Sequence, residues 1–296
     1  MAELSKVRKT EARKFYAYTS LYIAGFLLFL AIPMLCSLYL VFTNTTMIKM
    51  GDFVGFDNIV RLFTKDKLAW HAMVITIKYS VLSVPLGILF ALLIAVTLNQ
   101  KIKGIGFFRT CFFIPYVTSG VAVIMLWGWI FNSQFGILNY ALSLVGITGP
   151  DWFTNEKWTL PAFVLMSMWS TGNFIIILLA ALQDIPESLL ESAKIDGAGS
   201  FKTLISVSLP AVTPAIYFCL VLGVIGAFQI FMPMFLLTNG GPNTATYTFM
   251  LHFYNSTFRH FDMSYGATLA WVLFAVIMSI TGIINFTSKY WVNYDK

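Results

Sequence analysis

The charged residues most able to bind a partner are concentrated in residues 187–210, ESLLESAKIDGAGSFKTLISVSLP, between long apolar runs. Acidic residues come early in this polar segment and Lys194 comes late, which suits the dipole of a short helix. Asp184 can cap that helix, with Glu187 reaching back to it three residues later. We therefore expect a helix from about Ile185 to Ile195 whose charged groups are available for recognition.

Glycines follow this helix, because Gly197 and Gly199 offer positions where a helix stops and the chain turns. Ser200 can cap a second helical segment over 201–208, and Pro210 disfavours a regular continuation. The polar segment is thus predicted as helix, glycine turn and helix. An ordinary loop between two membrane spans fits the same physics equally well.

The composition indicates an integral membrane protein. Of the 296 residues, 58% are hydrophobic and only 11% are charged, and the mean hydropathy is +0.78. A soluble domain of this length is far less apolar. The three cysteines, Cys36, Cys111 and Cys219, fall in different apolar stretches without a CxxC pair, so we expect buried small hydrophobic side chains and no metal site.

Six apolar stretches are long enough to cross a membrane as helices, which predicts an all-α polytopic fold. The first is too long for the apolar core of a signal peptide. A tail of residues 1–15 precedes the membrane domain of residues 16–286, and a tail of residues 287–296 follows it. The predicted spans are 16–42, 72–98, 112–131, 160–182, 211–237 and 264–286, with external loops at 43–69, 132–158 and 238–263.

Basic residues give the orientation. Six spans place both termini on one side, and that side carries twelve Lys and Arg residues against six on the other. Loops rich in Lys and Arg stay in the cytoplasm. Both termini, and the polar segment that we take as loop 184–210, are therefore predicted to be cytoplasmic.

Several kinds of chemistry are missing from the sequence. All thirteen acidic residues fall outside the predicted spans, whereas proton- or sodium-coupled carriers keep a carboxylate at membrane depth. There is no G-x-x-x-x-G-K-[ST] phosphate loop, and no Ser/His/Asp set or carboxylate pair inside a span. We therefore predict neither an enzyme nor an ion-coupled carrier, and any uphill movement must draw its energy from another subunit.

The polar segment resembles the cytoplasmic EAA loop of binding-protein-dependent ABC importer permeases, which has an acidic-small-small start, a central glycine and a closing I-x-L-P. Here the pattern reads Glu191-Ser192-Ala193, Asp196-Gly197-Ala198 and Val207-Ser208-Leu209-Pro210, with Ser192 and Val207 as the two departures. The resemblance extends from Phe53 onward and is closest to carbohydrate importers. It is carried by GFFRTCFFIPYVTSGVAVIMLWGWIF, AALQDIP, GAFQIFMPMFLLTNGGPNTAT and FDMSYGATLAW.

This resemblance implies the type I ABC importer permease fold and a set of partners. Two permease subunits, as a heterodimer, form the pore in the lipid membrane, two cytoplasmic ATPase subunits bind ATP and Mg, and an extracellular binding protein delivers a sugar. This chain would bind no cofactor, metal or nucleic acid itself. The residues implied in coupling to the ATPase are Glu191, Ser192, Ala193, Asp196, Gly197 and Ala198.

The resemblance also implies a substrate cavity between the spans on either side of the loop. Two interpretations stay open for Asn173 and Gln229, either sugar contact or hydrogen bonds between helices. Maltose-type permeases have asparagines where this chain has Ala227 and Ile230, so the partner subunit could hold the sugar instead. The lining candidates are Trp169, Ser170, Asn173, Gly223, Ala227, Gln229, Ile230 and Phe231.

A peptide or amino-acid importer with the same loop is the main alternative, because the EAA pattern itself does not name a substrate. A membrane carrier or enzyme outside the ABC class is less favoured, for the reasons of missing chemistry given above. The external Gly240-Gly241-Pro242 sequence indicates a tight turn.

Overall fold

The computed structural model describes residues 2–100 and 103–293, and these form two compact units. Unit 1 comprises the chain before Lys67 together with Phe253–Val272, and unit 2 comprises Lys67–His252 with the chain from Leu273 onward. The described residues are helical apart from loops and an isolated bridge between Thr43 and Phe53, so the all-α prediction is confirmed. Lys101 and Lys296, used in the charge count, lie outside the described residues.

The helices are numbered in chain order, and three of them continue into π-helical turns at Leu27–Ala31, Leu204–Ser208 and Asn255–Arg259. Their bounds are α1 Ala2–Phe26, α2 Ile32–Leu40, α3 Asp57–Thr64, α4 Lys67–Leu98, α5 Ile105–Val117, α6 Gly120–Ile130, α7 Ile137–Leu144, α8 Glu156–Trp169, α9 Gly172–Gln183, α10 Glu187–Ile195, α11 Ser200–Thr203, α12 Leu209–Ala211, α13 Thr213–Phe228, α14 Met232–Leu237, α15 Phe249–Tyr254 and α16 Met263–Ser288.

Four of the six predicted spans are long apolar segments of continuous or nearly continuous helix: Arg13–Leu40, Lys67–Leu98, Thr213–Leu237 and Met263–Ser288. The first of these extends the helix well into the predicted polar tail. In the third of these, α13 and α14 are separated by the non-helical residues 229–231. Length and hydropathy therefore located these spans correctly but did not reveal this interruption.

The other two predicted spans are bent pairs rather than straight helices. The angle between α5 and α6 is 102°, and that between α8 and α9 is 50°. Thr118 adopts an extended conformation after α5, and the hydroxyl of Thr171 donates to the carbonyl of Met168 at the end of α8. Counting each bent pair as one span gives six candidate spans among the described residues.

The polar segment folds as a helix, a turn and a second helix, but its first helix begins later than predicted. Helix α10 starts at Glu187, and Asp184 ends α9 instead of capping α10. Proline explains the shift, because Pro186 disfavours helical geometry at the residue before it and itself has an extended ψ of 129°. The predicted end at Ile195 and the glycine turn are confirmed, with Gly197 at a φ of +74°.

The second half of the polar segment stays helical for longer than predicted. Gly199 rather than Ser200 occupies the cap position, and Ser200 is the first residue of α11. Helical structure then runs through the π-helical turn and past Pro210, because proline is tolerated in the first turn of the short helix α12. The interruption falls at Val212, before α13.

The third predicted external loop, 238–263, is not a solvated loop throughout. Thr246 and Thr248 are fully buried, and helix α15 follows them. The backbone N–H of Phe249 donates to Thr76 Oγ1 of α4 over 2.9 Å, and Thr248 Oγ1 donates to the carbonyl of Ile230 over 3.2 Å. This segment therefore supplies hydrogen bonds to both α4 and the interruption between α13 and α14.

Helix α4 is the centre of unit 2 and packs against α8, α9 and α13. Small residues allow the close approach, as at Ala91 and Ala95, which are completely buried. Helix α9 also lies close to α5, because a Cβ at Gly172 would be only 2.9 Å from the Phe112 carbonyl oxygen. Of the cysteines, Cys219 is buried as expected, whereas Cys36 and Cys111 are exposed on apolar helices that suit contact with lipid.

Candidate functional site

A cavity of about 280 Å³ lies within unit 2, where α4 and α13 meet the bend between α8 and α9. The bend matters because it places polar side chains at the end of α8 and the beginning of α9 beside the cavity. The lining residues are Tyr79, Ser83, Val84, Gly87, Tyr116, Ser167, Ser170, Thr171, Asn173, Phe174, Leu222, Gly223, Gly226 and Ala227.

Four of the eight predicted lining residues belong to this cavity: Ser170, Asn173, Gly223 and Ala227. They come from both sides of the polar segment, as the resemblance implied. Asn173 is half-buried one residue into α9, so its amide is held by a rigid element. The structure thus brings the two predicted spans together around one cavity, whose largely apolar lining includes hydroxyl and amide groups.

The other four candidates lie outside the cavity lining. Trp169 is 52% exposed and packs edge-to-face against Trp127, with ring centroids 5.9 Å apart. Gln229 is exposed and Ile230 half-buried at the interruption after α13, while Phe231 stacks on Phe235. Gln229, Ile230 and Phe231 are the non-helical residues between α13 and α14.

Sequence analysis missed the contribution of α4 to the cavity. Tyr79 and Ser83 lie four residues apart and hence on one face of that helix, which is the face toward the lining of α8 and α9. Tyr116 and Ser167 were missed as well. A polar pair at i and i+4 within an apolar span was the signal that could have revealed Tyr79 and Ser83, because lipid-facing polar groups are costly.

The predicted coupling residues form an exposed surface on α10 and the following turn. Glu191, Ser192, Asp196 and Gly197 are exposed, while Ala193 and Ala198 are half-buried. The Ser192 hydroxyl donates to the Ser188 carbonyl within α10. None of these six residues is buried in the described part of the chain.

Two large apolar side chains were not predicted for this surface. Ile195 is 85% exposed and Phe201 is 75% exposed, on either side of the glycine turn. Exposed apolar side chains rimmed by charged residues are typical of protein contacts. Together with the six predicted coupling residues they define what we call the coupling surface.

The turn at residues 239–244 is anchored within unit 2 from two helices. Asn239, Asn243 and Thr244 have positive φ angles, and the Gly241–Pro242 peptide bond is cis. The side-chain amide of Asn243 donates to Glu156 Oε1 at the start of α8, and Thr244 Oγ1 is 3.0 Å from His71 Nε2 of α4. The predicted tight turn is confirmed and is fixed by these neighbours.

Membrane-length helices pack around a cavity within unit 2, and the short helix α10 and its glycine turn are exposed. Residues 83–292 match the family described as "Binding-protein-dependent transport system inner membrane component". The chain belongs to this family of multi-pass membrane proteins, and the predicted family is thereby confirmed.

The chain is similar to "Probable ABC transporter permease protein YesP" of Bacillus subtilis, with 38% identity over 285 residues that cover 95% of this chain and 92% of that protein. It is also similar to "Lactose transport system permease protein LacF" of Rhizobium radiobacter, with 36% identity and 88% of each chain covered. A structure of a bacterial alginate ABC transporter in complex with its periplasmic protein has the same fold, with a TM-score of 0.82, 24% identity and coverage of 95% and 96%.

Proposed function

We propose that this chain is the permease subunit of an importer for a sugar or oligosaccharide. The observation that carries the proposal is the cavity of unit 2, which has hydroxyl, amide and aromatic groups but no charged residue in its lining. Neutral polyols need hydrogen-bonding groups and apolar ring faces, whereas an amino acid or peptide carries charges that favour charged partners. The cavity therefore favours a neutral sugar over the peptide or amino-acid alternative.

The relatives support the same substrate class. LacF is named as a lactose permease, and a similar protein of Thermococcus litoralis, 29% identical over 94% of each chain, is named as a trehalose/maltose permease. We transfer from these names only the class, a carbohydrate.

The coupling surface would dock into a groove of a cytoplasmic ATPase subunit, which binds ATP and Mg²⁺. Exposed Ile195 and Phe201 supply apolar contact area, and Glu191 and Asp196 supply charge around it. Interfaces combine an apolar centre with a polar rim in this way. The proposed role of the surface is mechanical, because this chain provides no phosphate loop of its own.

Helix α9 offers a direct route from the coupling surface to the cavity. It begins at Gly172, beside cavity residue Asn173, and ends at Gln183, shortly before α10. Its 12 residues correspond to about 18 Å of rigid helix at the usual rise per residue. A displacement of α10 by the ATPase would therefore move Asn173 and reshape the cavity, which is the step that alternating access requires.

The proposed assembly contains a second permease subunit, two ATPase subunits and an external binding protein. The excess of Lys and Arg on the side of the termini supports a cytoplasmic location for both termini and for the coupling surface. The turn at residues 239–244 would then face the binding protein.

The function is tested by ATP-dependent uptake into vesicles that contain the complete importer. We expect uptake of at least one of lactose, trehalose, maltose and longer glucans, and none of histidine or a dipeptide. An importer with a catalytically inactive ATPase provides the control. Uptake of the amino acid or dipeptide without any sugar would overturn the proposal.

A further inference from the structure

A second cavity, which we call the loop cavity, lies in the external loop between α6 and α8, within unit 2. Its volume is about 500 Å³, which is sufficient for one or two sugar rings. It is formed by the end of α6, helix α7 and the turn after α7. The lining residues are Trp129, Ser133, Gln134, Phe135, Ile137, Asn139, Tyr140, Ser143, Ile147, Thr148 and Gly149.

Asn139 holds the walls of the loop cavity together. Its Nδ2 donates to the carbonyls of Ser133 and Pro150, over 3.1 Å and 3.2 Å, and its Oδ1 accepts from Trp152 Nε1 over 2.7 Å. Gly149 lies so close that a Cβ there would be 2.1 Å from Asn139 Oδ1. The cavity is therefore built by specific hydrogen bonds rather than left between loosely placed loop residues.

Three aromatic side chains of the lining are more than half exposed. Trp129, Phe135 and Tyr140 are 57%, 62% and 65% exposed. By contrast, Phe131 and Trp152 of the same region are buried and pack against each other with ring centroids 5.2 Å apart. Some aromatic rings of the loop are therefore buried in its core, whereas others are exposed beside hydroxyl and amide groups.

The lining chemistry selects a neutral polyhydroxylated ligand. Ser133, Gln134, Ser143 and Thr148 are exposed hydroxyl and amide side chains, and no lining residue is charged. A phospholipid headgroup would call for Lys or Arg around its phosphate, and none lines the cavity. Aromatic faces next to uncharged hydrogen-bonding groups suit the apolar and polar sides of a sugar ring.

We propose that the loop cavity is a second sugar-binding site. It is separate from the cavity of about 280 Å³ that α4, α8, α9 and α13 line. The choice of a sugar as the ligand rests on the proposed function. The α6 helix connects the two sites, because Trp129 lines the loop cavity and Trp127 packs against Trp169, the neighbour of cavity residue Ser170. A sugar released near the membrane surface would be held here before it enters the transmembrane cavity.

Photoaffinity labelling of the complete importer in lipid nanodiscs tests the site. The probes are diazirine derivatives of lactose, trehalose and maltose, and maltoside detergents are avoided because their headgroups would compete. Mass spectrometry then locates the label. We expect label on peptides within residues 129–149 that is displaced by an excess of the unmodified sugar, and a decrease of at least fivefold in Trp129→Leu and in Tyr140→Leu.

The matched control is Leu144→Ala, which removes an apolar side chain that is 70% exposed on α7 and does not line the cavity. Labelling in this variant should equal that of the unmodified protein. Absence of displaceable label from residues 129–149 overturns the inference, as does label displaced by added phospholipid instead of sugar. The proposed function is judged separately, by uptake of unmodified sugars, so either idea can fail alone.

Discussion

Tyr265 donates its hydroxyl to Asp66 over 2.5 Å and is itself almost completely buried. The Arg61 guanidinium lies 3.9 Å from the centre of the Tyr265 ring and forms an ion pair with Asp262. These four side chains link α3 and the loop after it to the start of α16, all within unit 1. The cluster fixes the N-terminal end of the sixth span.

Replacing Tyr265 by Phe removes the hydrogen bond to Asp66 while it keeps the ring beneath Arg61. A hydrogen bond to a charged group contributes about 1.5–3 kcal/mol. We expect a thermal midpoint several degrees lower in nanodiscs. Tyr290→Phe, at a position that is 75% exposed, should leave the midpoint unchanged. Equal thermal midpoints for the two variants would show that the Tyr265–Asp66 hydrogen bond does not contribute to stability.

The cavity geometry separates two amides that the sequence could not rank. Asn173 lines the cavity and Gln229 does not. If Asn173 contributes a hydrogen bond to the sugar worth about 1.4 kcal/mol, Asn173→Ala should raise the KM for uptake about tenfold. Gln229→Ala should change it less than twofold. The reverse order would place the sugar nearer to the interruption after α13 than the cavity indicates.

Two glycines of α13 distinguish tight packing from open cavity space. A Cβ at Gly223 would lie 2.9 Å from Val84 Cγ1, whereas one at Gly226 would meet nothing within 4 Å. We expect Gly223→Ala to destabilise the protein by about 1–3 kcal/mol through overpacking. Gly226→Ala should leave its thermal stability unchanged. Equal thermal midpoints for the two variants would show that α13 shifts away from α4 at little cost.

The turn of the coupling surface requires glycine at one of two nearby positions. Gly197 has a φ of +74°, while Gly199 has a φ of −66° and both have open space around the missing Cβ. Gly197→Ala should cost about 1–2 kcal/mol in this turn and reduce ATP-driven uptake. Gly199→Ala is the matched control, with uptake near that of the unmodified importer. Normal uptake in both variants would show that coupling does not depend on the geometry of this turn.

Much of the fold could be predicted because hydrophobic length alone identifies membrane spans. The interruptions at Thr118 and Thr171 could not, since each lies inside an apolar stretch that length and hydropathy identify as one span. Pro85, by contrast, is a strong helix-breaking signal, and α4 nevertheless continues as one helix through it. Local breakers therefore predict interruptions poorly where neighbouring helices supply the missing contacts.

The candidate site was predicted in the same uneven way. Asn173 and Ser170 were found because their neighbours match a family pattern, whereas Tyr79 and Ser83 come from a helix distant in sequence. Ile195 and Phe201 were missed because apolar residues in a short segment are expected to be buried. Whether such a side chain faces a neighbour or solvent is decided by tertiary packing.

The buried contact between Thr76 and Phe249 also constrains how the protein is made. The two residues are 173 positions apart, so the hydroxyl of Thr76 receives the Phe249 backbone only after most of the chain has been synthesised. Contacts this distant in sequence form late in folding. Until then, a nascent chain holds an incomplete α4 surface in the membrane. A chain that ends before residue 249 would therefore leave the Thr76 hydroxyl without the Phe249 N–H that it accepts in the finished protein.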